Sequence, residues 1–207
     1  MSEFMSSRQN ESMIVDGIID RERAYQVTSE GFMIPMSDSL RRDVDDHIDD
    51  AEIRFSVVNR DRLLAGYALY ESFVFEEGSV LYLSGVQIAN SEQGKGITKE
   101  LNKRAIELVN PDYFAFRTQS IRMFRSGTSI MSDFYPNLDS EQQIPDYIGS
   151  VGRQLAGKIG GVVPVSRGYY GGKSLYGERP THKEDDNFYK TIDFENGDAV
   201  LCIGTIE

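Results

Sequence analysis

The N-terminal half of the chain alternates between helical and extended hydrophobic patterns. The short segment 24–29 predicts a first strand. After Ser37, which can cap a helix, apolar side chains recur every three or four positions, namely Leu40, Val44, Ile48 and Ala51. Segments 53–58 and 63–75 are rich in β-branched and aromatic residues, and a polar turn separates them. These patterns predict a helix followed by a β-hairpin.

The hydrophobic period changes twice in the middle of the chain. Residues 80–89 predict a third strand, and from Ile97 the apolar positions take a helical spacing that ends before Pro111. Residues 113–118 then predict another strand. A strand, a crossover helix and a strand in succession normally make the two strands parallel neighbours. The chain therefore predicts an α+β fold with a mixed, mostly antiparallel sheet flanked by helices.

The C-terminal part continues this fold with weaker signals. Residues 121–134 predict a short helix, and a helical stripe over 144–159 opens near Pro145. Residues 162–165 and 199–206 predict closing strands. A Gly- and Tyr-rich segment and a polar run lie between those strands, which is typical of a surface loop or lid. The C-terminal portion is therefore expected to extend well beyond the core.

Length and composition fit a single domain. The chain has 207 residues, of which 40% are hydrophobic, enough to bury one sizeable core. Residues 1–12 are mostly polar and predict a flexible tail, so we expect one domain over residues 13–207. The longest apolar runs are far shorter than the roughly 20 residues of a membrane-spanning helix, and no secretory signal is visible. We expect a cytoplasmic protein with no membrane partner.

Charge and metal-binding residue types exclude several functions. The formal net charge of -11 disfavours binding to nucleic acid. The densest basic cluster consists of Arg117, Arg122 and Arg125, and we expect it to flank the end of a strand. Cys202 is the only cysteine, which excludes an internal disulfide and a cysteine-based zinc cluster. The two histidines, His47 and His182, are expected to face solvent and lack a zinc-site spacing. We expect no metal.

A glycine-containing loop is the most informative chemical feature. Residues 93–98, Gln-Gly-Lys-Gly-Ile-Thr, lie where a predicted strand ends and an amphipathic helix begins. Gly94 and Gly96 let the main chain approach a ligand closely, and the free amides and dipole of the helix start favour a pyrophosphate. Lys95 could add positive charge. The loop therefore predicts an anion site at the start of this helix.

The order hairpin, strand, glycine loop, helix and strand over residues 53–118 resembles the core of the GNAT acetyltransferase superfamily. The family loop has Gln or Arg, two residues, Gly, one residue, then Gly or Ala, which corresponds here to Gln93, Gly96 and Thr98. Thr98 replaces the usual small residue. The resemblance implies a GNAT-like fold, acetyl-CoA as acyl donor and an amine acceptor, which could be a small molecule or a protein. It implies donor contacts from Val86, Gln87, Ile88, Gln93, Gly94, Lys95, Gly96, Ile97 and Thr98.

The acid-base residues of that family are only partly matched. The family often has an Asn just after the fourth core strand and a Tyr two helical turns later, where this chain has Ser120 and Gly127. Tyr135 is the nearest downstream tyrosine and is our candidate for the acid that protonates the leaving thiolate. Glu71 is the candidate general base. Tyr82 and Ser84 are further strand residues that could face the reacting centre.

Two alternative functions remain open at this point. A noncatalytic CoA-binding or protein-interaction module would tolerate the missing Asn and Tyr. The segment 168–174, Gly-Tyr-Tyr-Gly-Gly-Lys-Ser, resembles a nucleotide P-loop, but its glycine spacing is wrong because Arg167 stands where a Gly is required. Nucleotide hydrolysis is therefore disfavoured, whereas the tyrosines of this segment could border an acceptor pocket.

Overall fold

The computed structural model describes residues 12–138, 143–182 and 187–206. Except for Ser12, the predicted tail over residues 1–12 lies outside the described residues. Across these ranges, no helix combines the length and the apolar character that crossing a bilayer requires. The elements in chain order are β1 (Met13–Asp16), α1 (Arg21–Phe32), α2 (Asp38–Asp50), β2 (Ile53–Val58), β3 (Leu64–Phe75), β4 (Gly78–Ile88), α3 (Ile97–Val109), β5 (Tyr113–Thr118), α4 (Ile121–Gly127), β6 (Phe134–Tyr135), α5 (Asp146–Ile159), β7 (Val165–Ser166), α6 (Phe188–Thr191) and β8 (Ala199–Thr205).

One mixed sheet organises the described residues. Its strand order is β1-β2-β3-β4-β5-β8-β6, and β7 pairs with β8. The strands β4 and β5 are parallel and α3 connects them, whereas the other pairs are antiparallel. The predicted α+β architecture, the hairpin and the parallel crossover are therefore confirmed.

The sheet is covered by helices on both faces. On one face, α3 and α4 bury Leu101 and Phe124 against strand residues such as Phe114. On the other face, α1 and α2 pack over β3, and α5 packs over the end of the sheet formed by β5 and β8. Because side chains of a strand alternate between faces, each central strand contributes to both layers. The core thus fixes α1, α2 and α5 on the same side of the sheet.

The prediction of a strand over residues 24–29 is wrong, because this segment belongs to helix α1. The Asp20 carboxylate caps the helix by accepting a hydrogen bond from the Arg23 amide at 3.1 Å. Ala24, Val27 and Thr28 are buried at helical spacing. A short half-apolar run fits either period, and here packing on α2 and β3 favours the helix.

Two C-terminal elements are shorter than the sequence predicts. The helix predicted over 121–134 ends at Gly127, and the chain then forms β6. A Cβ atom at Gly127 would lie 2.6 Å from the rings of Phe116 and Phe134, so the helix end packs directly on aromatic side chains. Of the strand predicted over 162–165, only Val165 lies in a strand, the two-residue β7. More residues near the end of α4 and before β7 therefore lie outside helices and strands than the sequence predicts.

A split between β4 and β5 interrupts the sheet. The two strands pair from Val80 with Tyr113 to Leu83 with Phe116, although β4 continues to Ile88. The register of β3 with β4 shifts at Ser84, which is the extra residue of a β-bulge. A bulge bends its strand, and here β4 leaves β5 directly after it. The main chain of β4 from Ser84 onward therefore borders an opening in the sheet.

Candidate active site

The larger of two cavities at this opening collects the residues predicted to hold the acyl donor. Its volume is about 580 Å³, and the end of β4, the loop 93–98 and the first turns of α3 and α4 line it. Eight of the nine predicted donor residues line it: Val86, Gln87, Ile88, Gln93, Gly94, Gly96, Ile97 and Thr98. The ninth, Lys95, instead forms an ion pair with Glu92 at 3.0 Å. We call this space the donor cavity.

Main-chain conformation makes the glycine loop suited to an anion. Gly94 and Gly96 have φ values of 78° and 77°, in the left-handed region that favours glycine. A Cβ atom at either position would meet no described atom within 4 Å, so both face open space. Gly96 is the N-cap of α3. The amides of the first helical turn, together with the helix dipole, therefore face a space that an anion can enter.

Side chains hold this loop and add charge around the cavity. Gln93 donates hydrogen bonds to the Ile88 carbonyl and to the Asn90 side chain, both at 3.0 Å. These bonds tie the loop to the end of β4. Cationic side chains of Lys99, Arg122 and Arg179 also line the donor cavity, with Glu92 and Glu178 as the acidic members. The local charge is thus more favourable to phosphates than the net charge of the whole chain.

A second cavity lies on the α1 and α2 side of the split. Its volume is about 160 Å³, and residues from α1, α2, β3, β4, β5 and the segment 169–176 line it. Its walls are largely aromatic: Phe32, Tyr67, Tyr82, Phe116, Tyr169, Tyr170 and Tyr176. Asp43, His47 and Arg117 supply charged or titratable groups. We call this space the acceptor cavity.

The two cavities meet at a common border. Val86 and Gln87 of β4, Met123 of α4, and Tyr176 line both of them. A molecule in the donor cavity and a molecule in the acceptor cavity would therefore lie next to the same four residues. The structure thus has two adjoining cavities, one beside a helix start that suits an anion and one with several aromatic side chains in its walls.

Tyr176 is the hydroxyl-bearing side chain at this border, and sequence reasoning missed it. Gln119 at the end of β5 accepts hydrogen bonds from the Ser174 hydroxyl at 3.1 Å and from the Leu175 amide at 2.9 Å, which fixes the preceding chain. The Tyr176 side chain is hydrogen-bonded to Ser120, and burial raises the pKa of Tyr176 to about 12. The Gly- and Tyr-rich composition of its segment was the one available signal.

Glu71 lies beside the acceptor cavity without lining it. It is opposite Tyr82 in the β3–β4 register and half-buried. Burial, and next the charge of Asp50, raise the pKa of Glu71, whereas a hydrogen bond with Ser84 opposes this shift. Ser84 itself lines the acceptor cavity. A base at Glu71 could therefore reach the cavity through Ser84 or a water molecule.

Tyr135 is not brought to this border. It lies in β6, paired with Ile203 of β8, and packs in the hydrophobic cluster beneath α5. β6 is separated from β4 by β5 and β8, which corresponds to three strand spacings, or about 14 Å. Burial raises the pKa of Tyr135. Its role as general acid stays a prediction, but its position argues against it.

The segment that resembles a P-loop forms part of the acceptor cavity wall. Tyr169 and Tyr170 line the cavity, whereas Lys173 is exposed. The buried Asp198 anchors the start of the segment by accepting hydrogen bonds from the Gly168 amide at 2.9 Å and from Arg167. Burial alone would raise the pKa of Asp198, but hydrogen bonds from amides and Arg167 lower it to about 2. Asp198 is thus an ionised anchor for the tyrosines.

Known proteins resemble this chain in fold. No protein-family model and no curated protein sequence matches it. A Bacillus subtilis acetyltransferase in complex with CoA is 14% identical, with 95% of this chain and 100% of that chain covered and a TM-score of 0.51. The ribosomal-protein-S18-alanine N-acetyltransferase from Escherichia coli is 12% identical over 95% of both chains, with a TM-score of 0.50.

A third similar structure is a GNAT family N-acetyltransferase from Escherichia coli in complex with CoA. It is 13% identical, with a TM-score of 0.44, and the match covers 54% of this chain. This chain spans 64% of the length of that protein, less than two thirds. The two full-length matches establish that the chain has the GNAT fold, which confirms the fold predicted from residues 53–118.

Proposed function

We propose that this protein is a CoA-dependent N-acyltransferase that transfers an acyl group, in the simplest case acetyl, from a CoA thioester to an amine. The observation that carries the proposal is the junction of the two cavities. Eight residues predicted to bind the donor line one cavity, and Val86 and Gln87 of that set also line the other. Such an arrangement can hold two substrates with their reactive groups in contact.

In this proposal the donor binds along β4 and across the start of α3. The pyrophosphate lies against the amides of Gly94 to Thr98, where the helix dipole favours negative charge. Arg122 and Lys99 line the same cavity and can neutralise phosphate charge. The pantetheine arm follows the main chain of residues 86–88, whose amides can polarise the thioester carbonyl. The acyl group is then at the border of the two cavities.

The reaction requires two proton movements. The amine nitrogen forms a bond to the thioester carbon, the carbon–sulfur bond breaks, the amine loses a proton and the sulfur gains one. We assign the first proton to Glu71, acting through Ser84 or water, because its raised pKa makes it a stronger base than an ordinary carboxylate. These two movements start from the neutral amine. An amine in water at neutral pH is mostly protonated, so a further proton must first pass from it to solvent before the nitrogen can attack.

Tyr176 is assigned the second proton movement, to the departing sulfur. The phenol is protonated at neutral pH, as a proton donor requires, although burial, which raises its pKa to about 12, makes it a weaker acid than an ordinary tyrosine. Ser120 stands where the family often has an Asn, and here its side chain bonds to Tyr176. The chain thus has a tyrosine hydroxyl at the border, although it comes from a different segment than in the family pattern.

A noncatalytic CoA-binding module is the second candidate, favoured by Ser120 and Gly127 at the positions of the family Asn and Tyr. Calorimetry with acetyl-CoA, with ATP as the control nucleotide, tests the donor site. A thiol-release assay with a panel of amines then tests transfer. Binding of acetyl-CoA with acceptor-dependent thiol release supports the enzyme, and binding without release supports the module. No binding of acetyl-CoA would contradict both.

A further inference from the structure

Arg117 stands out among the residues of the acceptor cavity. It lies near the end of β5 and lines the acceptor cavity but not the donor cavity. The Cζ atom lies 4.1 Å from the centre of the Tyr169 ring, and the Nη1 atom donates to the Gly160 carbonyl at 2.7 Å. Gly161 allows this approach, because a Cβ atom there would lie 2.6 Å from Nη1. The guanidinium group is therefore held in one orientation.

The other two nitrogens of this group lack partners. In the part of the chain that the structure describes, the Arg117 Nε and Nη2 atoms are buried and have no hydrogen-bond acceptor. Leaving a buried donor unpaired is unfavourable, and more so for a charged group. Buried cations are normally paired for this reason. Two unpaired charged donors in a cavity wall therefore point to an anionic group of a ligand.

The geometry of the two free donors identifies the anion class. Nε–H and Nη2–H are on the same edge of the guanidinium plane and point in parallel, which matches the two oxygens of a carboxylate. The Asp43 carboxylate also lines this cavity, so the cavity has one full positive and one full negative charge. That balance suits a monoanion better than a phosphate dianion.

We infer that the acceptor is an amino acid or a similarly small amino carboxylate, with its carboxylate on Arg117 and its amine directed to the border with the donor cavity. This inference rests on the proposed function. The volume of about 160 Å³ is below the roughly 300–1,000 Å³ of pockets for drug-sized ligands, in keeping with a small acceptor. The aromatic walls leave room for an apolar body between the two polar ends.

The first experiment compares matched ligands on the wild-type protein. Each of the 20 amino acids is tested against its carboxamide, which keeps the amine and removes the negative charge. Saturable binding is measured by calorimetry without acetyl-CoA, and transfer by thiol release with it. We expect at least one free acid to bind and to be acetylated about 10- to 100-fold better than its carboxamide, the size of a lost charge-assisted hydrogen bond.

Variants then locate the carboxylate. Arg117→Met should remove the preference for acid over carboxamide, Arg117→Lys should retain part of it, and Arg42→Met, at an exposed arginine of α2, should leave it intact. Acetyl-CoA affinity is the folding control, since Arg117 does not line the donor cavity. Equal use of acids and carboxamides, or no binding of any acid, would overturn the inference. Failure of acetyl-CoA binding would instead overturn the proposed function.

Discussion

The donor cavity and the acceptor cavity are built in different ways. The donor cavity is built around a nearly continuous stretch, residues 86–99, which offers main-chain amides and a helix start, and residues from α1, α4 and the segment 176–181 complete its lining. The acceptor cavity combines side chains from α1, α2, β3, β5 and the segment 169–176. Main-chain recognition tolerates many side-chain changes, whereas side-chain recognition does not. The acceptor half can therefore diverge while the donor half keeps the same chemistry.

The largest expected effect tests which tyrosine acts at the border. Tyr176→Phe should lower turnover by about 100- to 10,000-fold, the usual contribution of general acid catalysis, because only the hydroxyl is removed. Acetyl-CoA affinity should change little. Tyr135→Phe should leave turnover near wild type, since Tyr135 lies beneath α5. Both are measured by thiol release at saturating substrates. If Tyr135→Phe lowers turnover and Tyr176→Phe does not, the general acid is Tyr135.

The role of Glu71, beside the acceptor cavity, can be tested through the pH dependence of activity. If Glu71 is the base, activity requires its carboxylate and falls as pH drops through its pKa. Because burial raises that pKa, the loss should begin at a higher pH than for an exposed glutamate. Glu71→Gln should lower turnover by about 100-fold and remove this limb of the profile. A profile unchanged by the substitution would assign the limb to the amine alone.

A smaller effect is expected from filling the glycine loop. Gly96→Ala places a methyl group where the main chain should meet the pyrophosphate, so acetyl-CoA affinity should fall about 10-fold or more. Gly171→Ala is a matched control, because Gly171 has a φ of 75° and equally open surroundings but does not line the donor cavity. Calorimetry measures both. Equal losses would show that backbone strain, and not the ligand, is responsible.

The smallest effect concerns Lys95, which sequence reasoning placed in the donor site. Its ammonium group does not line the donor cavity and pairs with Glu92, an acidic residue of the cavity wall. Lys95→Ala should therefore change acetyl-CoA affinity by less than about 3-fold, because Lys95 does not line the cavity and an ion pair near the surface contributes little. Arg122→Ala, which removes a cation that lines the cavity, should weaken binding more. A larger loss for Lys95 than for Arg122 would mean that the loop rearranges around the donor.

Local patterns explain what could be predicted. The strands β2 to β5, helix α3 and the glycine loop follow from periodicity and from residues close in sequence. The sequence predicts a strand where part of helix α1 lies, because the short apolar run over residues 24–29 fits both the helical and the extended period. Tyr176 could not be placed, since its position depends on hydrogen bonds from its segment to Gln119, 56 residues away from Leu175. Arg117 was expected only to flank a strand end, because its unpaired donors become visible only in three dimensions.

A contact between α1 and the segment 174–177 has a further consequence for how substrates move. The Gly177 amide donates to the Phe32 carbonyl at 2.7 Å, and the ring of Phe32 meets that of Tyr176 edge-on at 5.0 Å. Since α1 packs on β3 and β4, whereas Gln119 holds the segment at the end of β5, this contact bridges the split in the sheet.

If the proposed donor and acceptor occupy the two adjoining cavities, each can enter its own cavity, so neither has to leave before the other enters. The only cysteine, Cys202, is fully buried in β8 and cannot carry the acyl group between them. Initial-rate plots against the two concentrations should therefore intersect, as for a ternary complex, and should not run parallel as in a double-displacement scheme.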